Sequence, residues 1–196
     1  MPDSRVVYNE FMQPAVFLDR DGVLIENRED YVRDWSQVVF LPKAITALQK
    51  FGSAGYKLVL VTNQSAVGRG LMSLETANEI NNKLVKVVED RGGRLDAVYM
   101  CPHAPSDNCD CRKPRQGLFL HASRDLSLDL KSSWMIGDAW SDLLAGQEAG
   151  LRGMVMVKTG RGANQLQLPK PEKLNEFIVV GDLSEALTLI RQNTSS

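Results

Sequence analysis

The residues of this chain best suited to chemistry begin with Asp19 and Asp21, in Ala15-Val16-Phe17-Leu18-Asp19-Arg20-Asp21-Gly22. A short apolar run bounded by a turn signal reads as a central parallel strand, and open α/β sheets bind ligands beyond the carboxyl ends of such strands. Successive strand residues alternate faces, so i and i+2 can approach one site, and Gly22 lets the chain turn away at once. Taken alone, Asp-x-Asp-Gly also fits an acidic strand-end turn. A second apolar run, Lys57-Leu58-Val59-Leu60-Val61, ends in Thr62-Asn63-Gln64-Ser65, where a hydroxyl and an amide suit either phosphate donation or turn chemistry. Arg112-Lys113-Pro114 offers two cations, readable singly as a solvated basic turn. Gly137-Asp138 puts a carboxylate at the end of another strand, where an Asp often caps the next helix. Together, the strand-end loops present in chain order two acids, a hydroxyl with an amide, a lysine and a further acid. That series calls for a trianionic group flanked by a divalent cation.

All three cysteines, Cys101, Cys109 and Cys111, fall in one short window together with His103. Three thiolates and one imidazole are the tetrahedral set that zinc prefers, and four protein ligands leave no open position, so a zinc ion here is expected to be structural. The one-residue gaps inside each pair are tighter than zinc-finger spacing, and scattered free thiols or a redox pair are the alternatives. His121 stands apart on a predicted helix and reads as a surface or packing residue.

Positioning these groups requires an alternation of strands and helices. After Gly22 a polar, aromatic-spotted stretch from Ile25 to Trp35 has no sustained period and reads as an ordered loop beside the strand mouth. Pro42 opens a helix with Ile45, Leu48 and Phe51 at helical spacing, stopped by Gly52 and Gly55. Gly68-Arg69-Gly70 matches no dinucleotide or P-loop pattern and is expected to be a flexible loop near the site. Ser73 caps a long helix to about Arg91, with Ile80, Leu84, Val87 and Val88 as its buried stripe and Glu75 favouring its dipole. A strand from Leu95 to Met100 runs into the cysteine loop. Beyond it come a helix from Gln116 to Leu126, a strand from Ser133 to Ile136 and a helix from Ser141 to Ala149. A strand from Met154 to Val157 follows, then an irregular segment from Gly160 to Lys173. A strand from Phe177 to Val180 and a helix from Ser184 to Arg191 close the pattern, with Gln192 to Ser196 frayed. The pattern predicts one Rossmann-like α/β domain spanning residues 1–196, a parallel sheet flanked by helices.

Composition narrows the partners. A formal charge of −1 gives no electrostatic case for nucleic acid or a membrane surface. No apolar run reaches membrane-spanning length, and Met1 to Pro14 is too polar for a signal-peptide core, so a cytoplasmic monomer is expected.

The order of the acidic, hydroxyl, lysine and acidic motifs resembles the haloacid dehalogenase-like phosphatase superfamily. Tyr31-Val32, Thr62-Asn63-Gln64-Ser65 and the Cys101–Lys113 loop make the chain similar to its heptose-bisphosphate phosphatase and histidinol-phosphatase branch. The resemblance spans about Pro14 to Gly160. It implies that Asp19 is a nucleophile carrying an aspartyl-phosphate, and that Asp21 protonates the leaving oxygen and then deprotonates water. It implies a catalytic Mg²⁺ bound by Asp19, the Asp21 backbone carbonyl and Asp138, beside the structural Zn²⁺ of Cys101, His103, Cys109 and Cys111. Thr62, Asn63 and Lys113 would hold phosphate oxygens, and Arg112 the distal part of a small sugar phosphate. Further substrate contacts are expected from Asn27, Arg28, Tyr31, Gln64, Ser65 and Arg69. Asp142 is placed second, as a helper, and Ala139 departs from the lysine often found after the last acid.

The spans between motifs are too short for a separate cap domain. The site is therefore expected to be roofed by loops alone, at residues 25–35, 64–72 and the cysteine loop. The expected reaction is removal of the 7-phosphate of a heptose bisphosphate, with histidinol phosphate as the second substrate reading. Two rivals are a noncatalytic zinc-stabilised binding module, which has no use for acids at separate strand ends, and a nucleic-acid 3'-phosphatase, which the near-neutral charge disfavours.

Overall fold

β1 (Ala15–Leu18) is four apolar residues with no exposure at all, as expected of a strand covered on both faces. The computed structural model describes residues 12–52 and 54–193. Within them one parallel sheet is formed by β1, β2 (Lys57–Asn63), β3 (Ala97–Cys101), β4 (Trp134–Gly137), β5 (Gly153–Val157) and β6 (Ile178–Val180). Their spatial order is β3-β2-β1-β4-β5-β6. The chain builds outward from β1 to β3, then crosses to the other side of β1 at β4. Such a reversal opens a crevice beyond the carboxyl ends of the strands that flank it. Register decides what reaches that crevice: Leu18 lies level with both Leu60 and Ile136, so Asp19, Thr62 and Asp138 leave the sheet at one edge.

The helices are α1 (Ala44–Phe51), α2 (Ser65–Gly68), α3 (Leu74–Asp90), α4 (Gly117–Leu126), α5 (Trp140–Glu148), α6 (Gly162–Gln165) and α7 (Leu183–Gln192). Alternation along β1 assigns them to two layers. Val16 and Leu18 share a core with Leu58, Leu60 and Ile136 and with side chains of α1, α3 and α7. Ala15 and Phe17 pack with Val59, Val61 and Met135 against α4 and α5, the Phe17 and Phe119 rings meeting edge to face at 4.8 Å. Each large apolar side chain buried this way contributes about 1.5–3 kcal/mol, which makes the sheet a rigid base for loop-borne groups. No helix among the described residues is long and apolar enough to cross a membrane.

Local departures from the sequence expectations have local causes. α1 starts at Ala44, because Lys43 takes a left-handed conformation (φ 64°) that ends the approach from Pro42. β2 runs on through Thr62 and Asn63, which pair with Met100 and Cys101. β3 starts late because Asp96 caps its entry: its backbone N–H donates to Leu58 O (2.8 Å), and its carboxylate accepts from the Leu58 N–H (2.7 Å). Gly68 is helical, the last residue of α2, and Gly70 supplies the positive φ that turns the chain. The 160–173 segment contains α6. On α3, capped by Ser73 as its sequence suggests, Val87 is only partly buried while the polar Asn81 takes an inward position. Gln192 continues α7, and residues 194–196 lie outside the described residues.

The first strand borrows a side chain to complete its hydrogen bonding. The buried Ser133 hydroxyl accepts from the Ala15 N–H at 2.8 Å and donates to Asp129 O at 2.5 Å. Leaving a buried N–H without a partner costs about 1–3 kcal/mol. Ser133→Ala should therefore lower unfolding free energy by roughly that amount in urea titrations, with KM for the substrate unchanged. A midpoint equal to the parent's would show that Ala15 finds another acceptor.

Candidate active site

The loops at the sheet's carboxyl edge enclose a cavity of about 530 Å³. Its buried lining comprises Asp19, Thr62, Gln64, Ser65, Lys113 and Asp142, and its more exposed lining includes Asp21, Asn27, Arg28, Tyr31, Asn63, Arg112 and Arg161. Residues from five separate stretches of chain thus meet in one space. Arg69 stands apart: it is exposed and does not line the cavity, so the expected substrate contact has no geometric basis.

Lys113 is the centre of the charge pattern. Its ammonium donates to Asp19 Oδ1 at 2.7 Å and to Val61 O at 2.8 Å, and it pairs with Asp142 Oδ1 at 2.8 Å. Burial opposes its charge, but Asp142 and Asp19 together outweigh that and push it up to about 12, so it stays protonated. Asn63 holds the lysine's backbone from both sides, Nδ2 donating to Lys113 O (3.0 Å) and Oδ1 accepting from the Lys113 N–H (3.1 Å). The amide expected to hold phosphate thus anchors the loop that carries Lys113.

Carboxylate oxygens of Asp19, Asp138 and Asp142 lie within 4.8 Å of one another. Burial pushes Asp19 up from the usual 3.8 to about 7, and Asp142, Asp138 and Asp21 add to the rise against the opposing Lys113. Asp138, wholly buried, is raised too, by burial and Asp142, while Arg161 counteracts. Crowded, dehydrated carboxylates of this kind fit a hard divalent cation. Each of the three is already engaged: Asp142 by Lys113 and by the Ala139 N–H (3.1 Å), and Asp19 by the same ammonium. Asp138 is locked in place: Asn27 Nδ2 and the Arg161 N–H each donate to its Oδ2 at 2.8 Å. Gly22 and Gly160, both at positive φ, leave room that a Cβ would take from that carboxylate. Asn27, expected to touch substrate, therefore also orients the acid.

Two site residues escaped the sequence reading. Arg161, in the segment read as irregular, reaches Asp138 Oδ1 with its guanidinium at 3.3 Å; the flanking Gly160 and Gly162 were its only signal. Arg20 is fully buried between the two motif acids, and the hint lay in a cation set inside an apolar strand end.

The cysteine cluster is assembled as its composition suggested. Sγ of Cys101 and of Cys111 each lie 3.5 Å from Cys109 Sγ, and His103 Nδ1 lies 3.6 and 3.3 Å from Cys101 and Cys111. Ligands 2.3 Å from one tetrahedral ion would be about 3.8 Å apart, so the donor set fits a metal of zinc's size. Burial pushes the Cys101 and Cys111 thiols up, so a metal entering here must displace protons. The cluster bears on the cavity through Arg112, which donates to His103 O at 3.3 Å, and through Gly68, whose N–H donates to Pro102 O at 2.8 Å.

Known proteins share this sequence and geometry. A family model described as HAD-hydrolase-like matches residues 110–186. The D-glycero-beta-D-manno-heptose-1,7-bisphosphate 7-phosphatase of Pasteurella multocida is 41% identical over 156 residues, covering 76% of this chain and 84% of that protein. Its namesake in Photorhabdus laumondii is 40% identical over 188 residues, covering 91% and 97%. The crystal structure of D,D-heptose 1,7-bisphosphate phosphatase from B. bronchiseptica, complexed with magnesium and phosphate, superposes with a TM-score of 0.84 at 34% identity, over 92% of this chain and 99% of that one.

A carboxylate must be ionised to bind a cation. With Asp19 at about 7 in the metal-free protein, binding at lower pH has to expel its proton, so affinity is weaker there and rises as pH passes through about 7. Calorimetric titration with Mg²⁺ should show proton release near pH 6 that fades by about pH 8.5. Affinity independent of pH across that window would remove Asp19 from the ligand set.

Proposed function

This chain belongs to the D-glycero-beta-D-manno-heptose-1,7-bisphosphate 7-phosphatase family of HAD-like hydrolases, and we propose that it removes the 7-phosphate from heptose 1,7-bisphosphate by way of an aspartyl-phosphate. The observation that carries this reading is the ammonium of Lys113 at 2.7 Å from Asp19, at the mouth of the central strand, with Asp138 delivered beside it by the neighbouring strand.

Asp19 attacks phosphorus as the bond from phosphorus to the sugar oxygen breaks, and Asp21 gives that oxygen its proton. Water then attacks phosphorus while Asp21 takes a proton from it, the bond from phosphorus to Asp19 breaks, inorganic phosphate leaves, and both side chains return to their starting states. General acid and base assistance of this kind contributes about 10²–10⁴ in rate. Lys113 and the Thr62 hydroxyl hold phosphoryl oxygens, the electrostatic positioning on which phosphoryl transfer depends. Asn63 acts through the backbone of Lys113. Asp19, the Asp21 carbonyl and Asp138 would hold Mg²⁺, which when bound neutralises the repulsion between carboxylates and phosphate. The exposed Arg28 and the half-buried Arg112 of the lining face the sugar's distal part, with Tyr31 and Ser65 along the way. Cys101, His103, Cys109 and Cys111 would hold Zn²⁺, which when bound would keep the loop bearing Arg112 and Lys113 in shape. We assign the reaction to the cytoplasm, whose reducing conditions keep those thiols available to metal.

A phosphate-release panel tests the reading. With Mg²⁺, heptose 1,7-bisphosphate should yield one equivalent of phosphate and leave the 1-phosphate in place, and histidinol phosphate should be turned over far more slowly. Faster release from histidinol phosphate would reassign the substrate. Asp19→Asn, which removes the nucleophile, should abolish turnover without loss of fold by circular dichroism; undiminished release would refute the covalent route.

Cys109→Ser should strip the cluster of metal and raise KM through the loosened Arg112, with Tm falling as well. Loss of zinc verified by elemental analysis with Tm and KM both unmoved would disconnect the cluster from the site.

A further inference from the structure

Arg20 has no task in the reaction above, yet its side chain is fully buried next to the nucleophile. An arginine keeps its charge at any accessible pH, and burying that charge is costly unless it is paired and hydrogen-bonded. Here the guanidinium is engaged on three sides. Nε donates to Asp21 Oδ2 at 3.0 Å and Nη2 to Asp21 Oδ1 at 3.3 Å. Nη2 also donates to Gln64 Oε1 at 3.0 Å, and Nη1 donates to Asn81 Oδ1 at 2.9 Å. The polar Asn81 on the inward side of α3 has its explanation here.

The donors fix what their partners can do. A guanidinium accepts nothing, so Gln64 must face it with Oε1. Its Nε2 is then committed to Asp21 Oδ2 (3.1 Å) and to Thr62 Oγ1 (2.9 Å). A Thr62 hydroxyl that accepts from Gln64 keeps its single hydrogen for the cavity it lines. Asp21 Oδ2 carries two N–H donors, whereas Oδ1 has one long contact. The less engaged oxygen is the one able to carry a proton.

We propose that Arg20 is a positioning residue for the chemical step: braced by Asn81, it presents Asp21 Oδ1 as the proton-carrying oxygen. This role rests on the reading of Asp21 as acid and base. In the first half-reaction the Oδ1–H bond breaks and its proton passes to the ester oxygen as that oxygen leaves phosphorus. In the second, a water O–H bond breaks, the proton returns to Oδ1 and the water oxygen bonds to phosphorus as the bond from phosphorus to the Asp19 oxygen breaks, releasing inorganic phosphate. A purely structural Arg20, tying α3 to the end of β1, would keep every one of these distances but would not care which leaving group departs.

Leaving-group dependence separates the two roles. A sugar alkoxide needs a proton to leave, whereas p-nitrophenolate does not. Arg20→Lys keeps the charge and loses the fork, and kcat on heptose 1,7-bisphosphate should fall about 10²-fold, with KM within roughly threefold. The first-turnover burst of p-nitrophenolate from p-nitrophenyl phosphate should change by less than about fivefold, since proton donation is the step at stake. Asn81→Ala leaves the ion pair in place and removes its brace, and should show the same split at about tenfold; it decides the matter if Arg20→Lys does not fold. Equal losses on both substrates, or losses confined to KM, would reduce Arg20 to a core tie. Asp21→Asn serves as reference. If it slows both substrates alike, the acid assignment fails; if it splits them while the Arg20 and Asn81 variants do not, the positioning role alone is overturned.

Discussion

Three buried carboxylates share a space less than 5 Å across, with one ammonium among them. The charges do not cancel, and the protein's answer is visible in Asp19, whose rise from 3.8 to about 7 corresponds to about 4 kcal/mol against its ionised form. A fold that only sought stability would not collect these groups. A rigid base has to hold them together, and the sheet supplies it: β1 is sealed on both faces, and its register with β2 and β4 brings three strand ends to one level. What the cluster lacks is positive charge, which a divalent cation held by these carboxylates would supply.

Lys113 can play its part only if its loop is as stiff as the sheet. The 101–113 stretch holds little regular structure, and loops of that kind are ordinarily mobile. Two clamps replace the missing ladder. At its carboxyl end Asn63 grips the lysine's own backbone N–H and carbonyl. At its start Cys101 belongs to β3 and also to the cysteine and histidine cluster, which closes the loop onto itself. Gly68 lets α2 come against the same loop so closely that a Cβ would collide with Ala104. The metal-sized cluster is thus a support for a catalytic-type cation, reached through a few residues of backbone.

Much of this was legible in the chain itself. Asp19, Asp21, Thr62, Lys113 and Asp138 each follow an apolar run or the cysteine loop that extends one, and strand-end chemistry depends on local order that a sequence displays directly. The sheet, the two helix layers and the gathering of every cysteine with His103 follow from equally local patterns. What the sequence left unread has a different cause. Asn63, Asn27 and Arg20 have partners 50, 111 and 61 positions away, at Lys113, Asp138 and Asn81. Residue type told that each could make a hydrogen bond, and only the folded packing told with whom. Arg69 failed in the opposite direction: a cation beside glycines near the site in sequence, but turned out of the cavity in space.

The acids at the site are also held by different means, and the difference suits the part each has in the proposed reaction. Asp138 is fixed by a backbone N–H, by Asn27 and by two glycines whose missing side chains define its slot. A group that holds a cation through a reaction cycle gains from such a seat, since any drift weakens the one charge the cluster needs. The Asp21 carboxylate is steered by the side chains of Arg20 and Gln64, and one of its oxygens is left loosely engaged. A proton carrier has to be aimed yet alternate between acid and base, and a side-chain frame around a partly exposed carboxylate permits both. Backbone and side chains together seat Asp138, whereas side chains alone frame the Asp21 carboxylate.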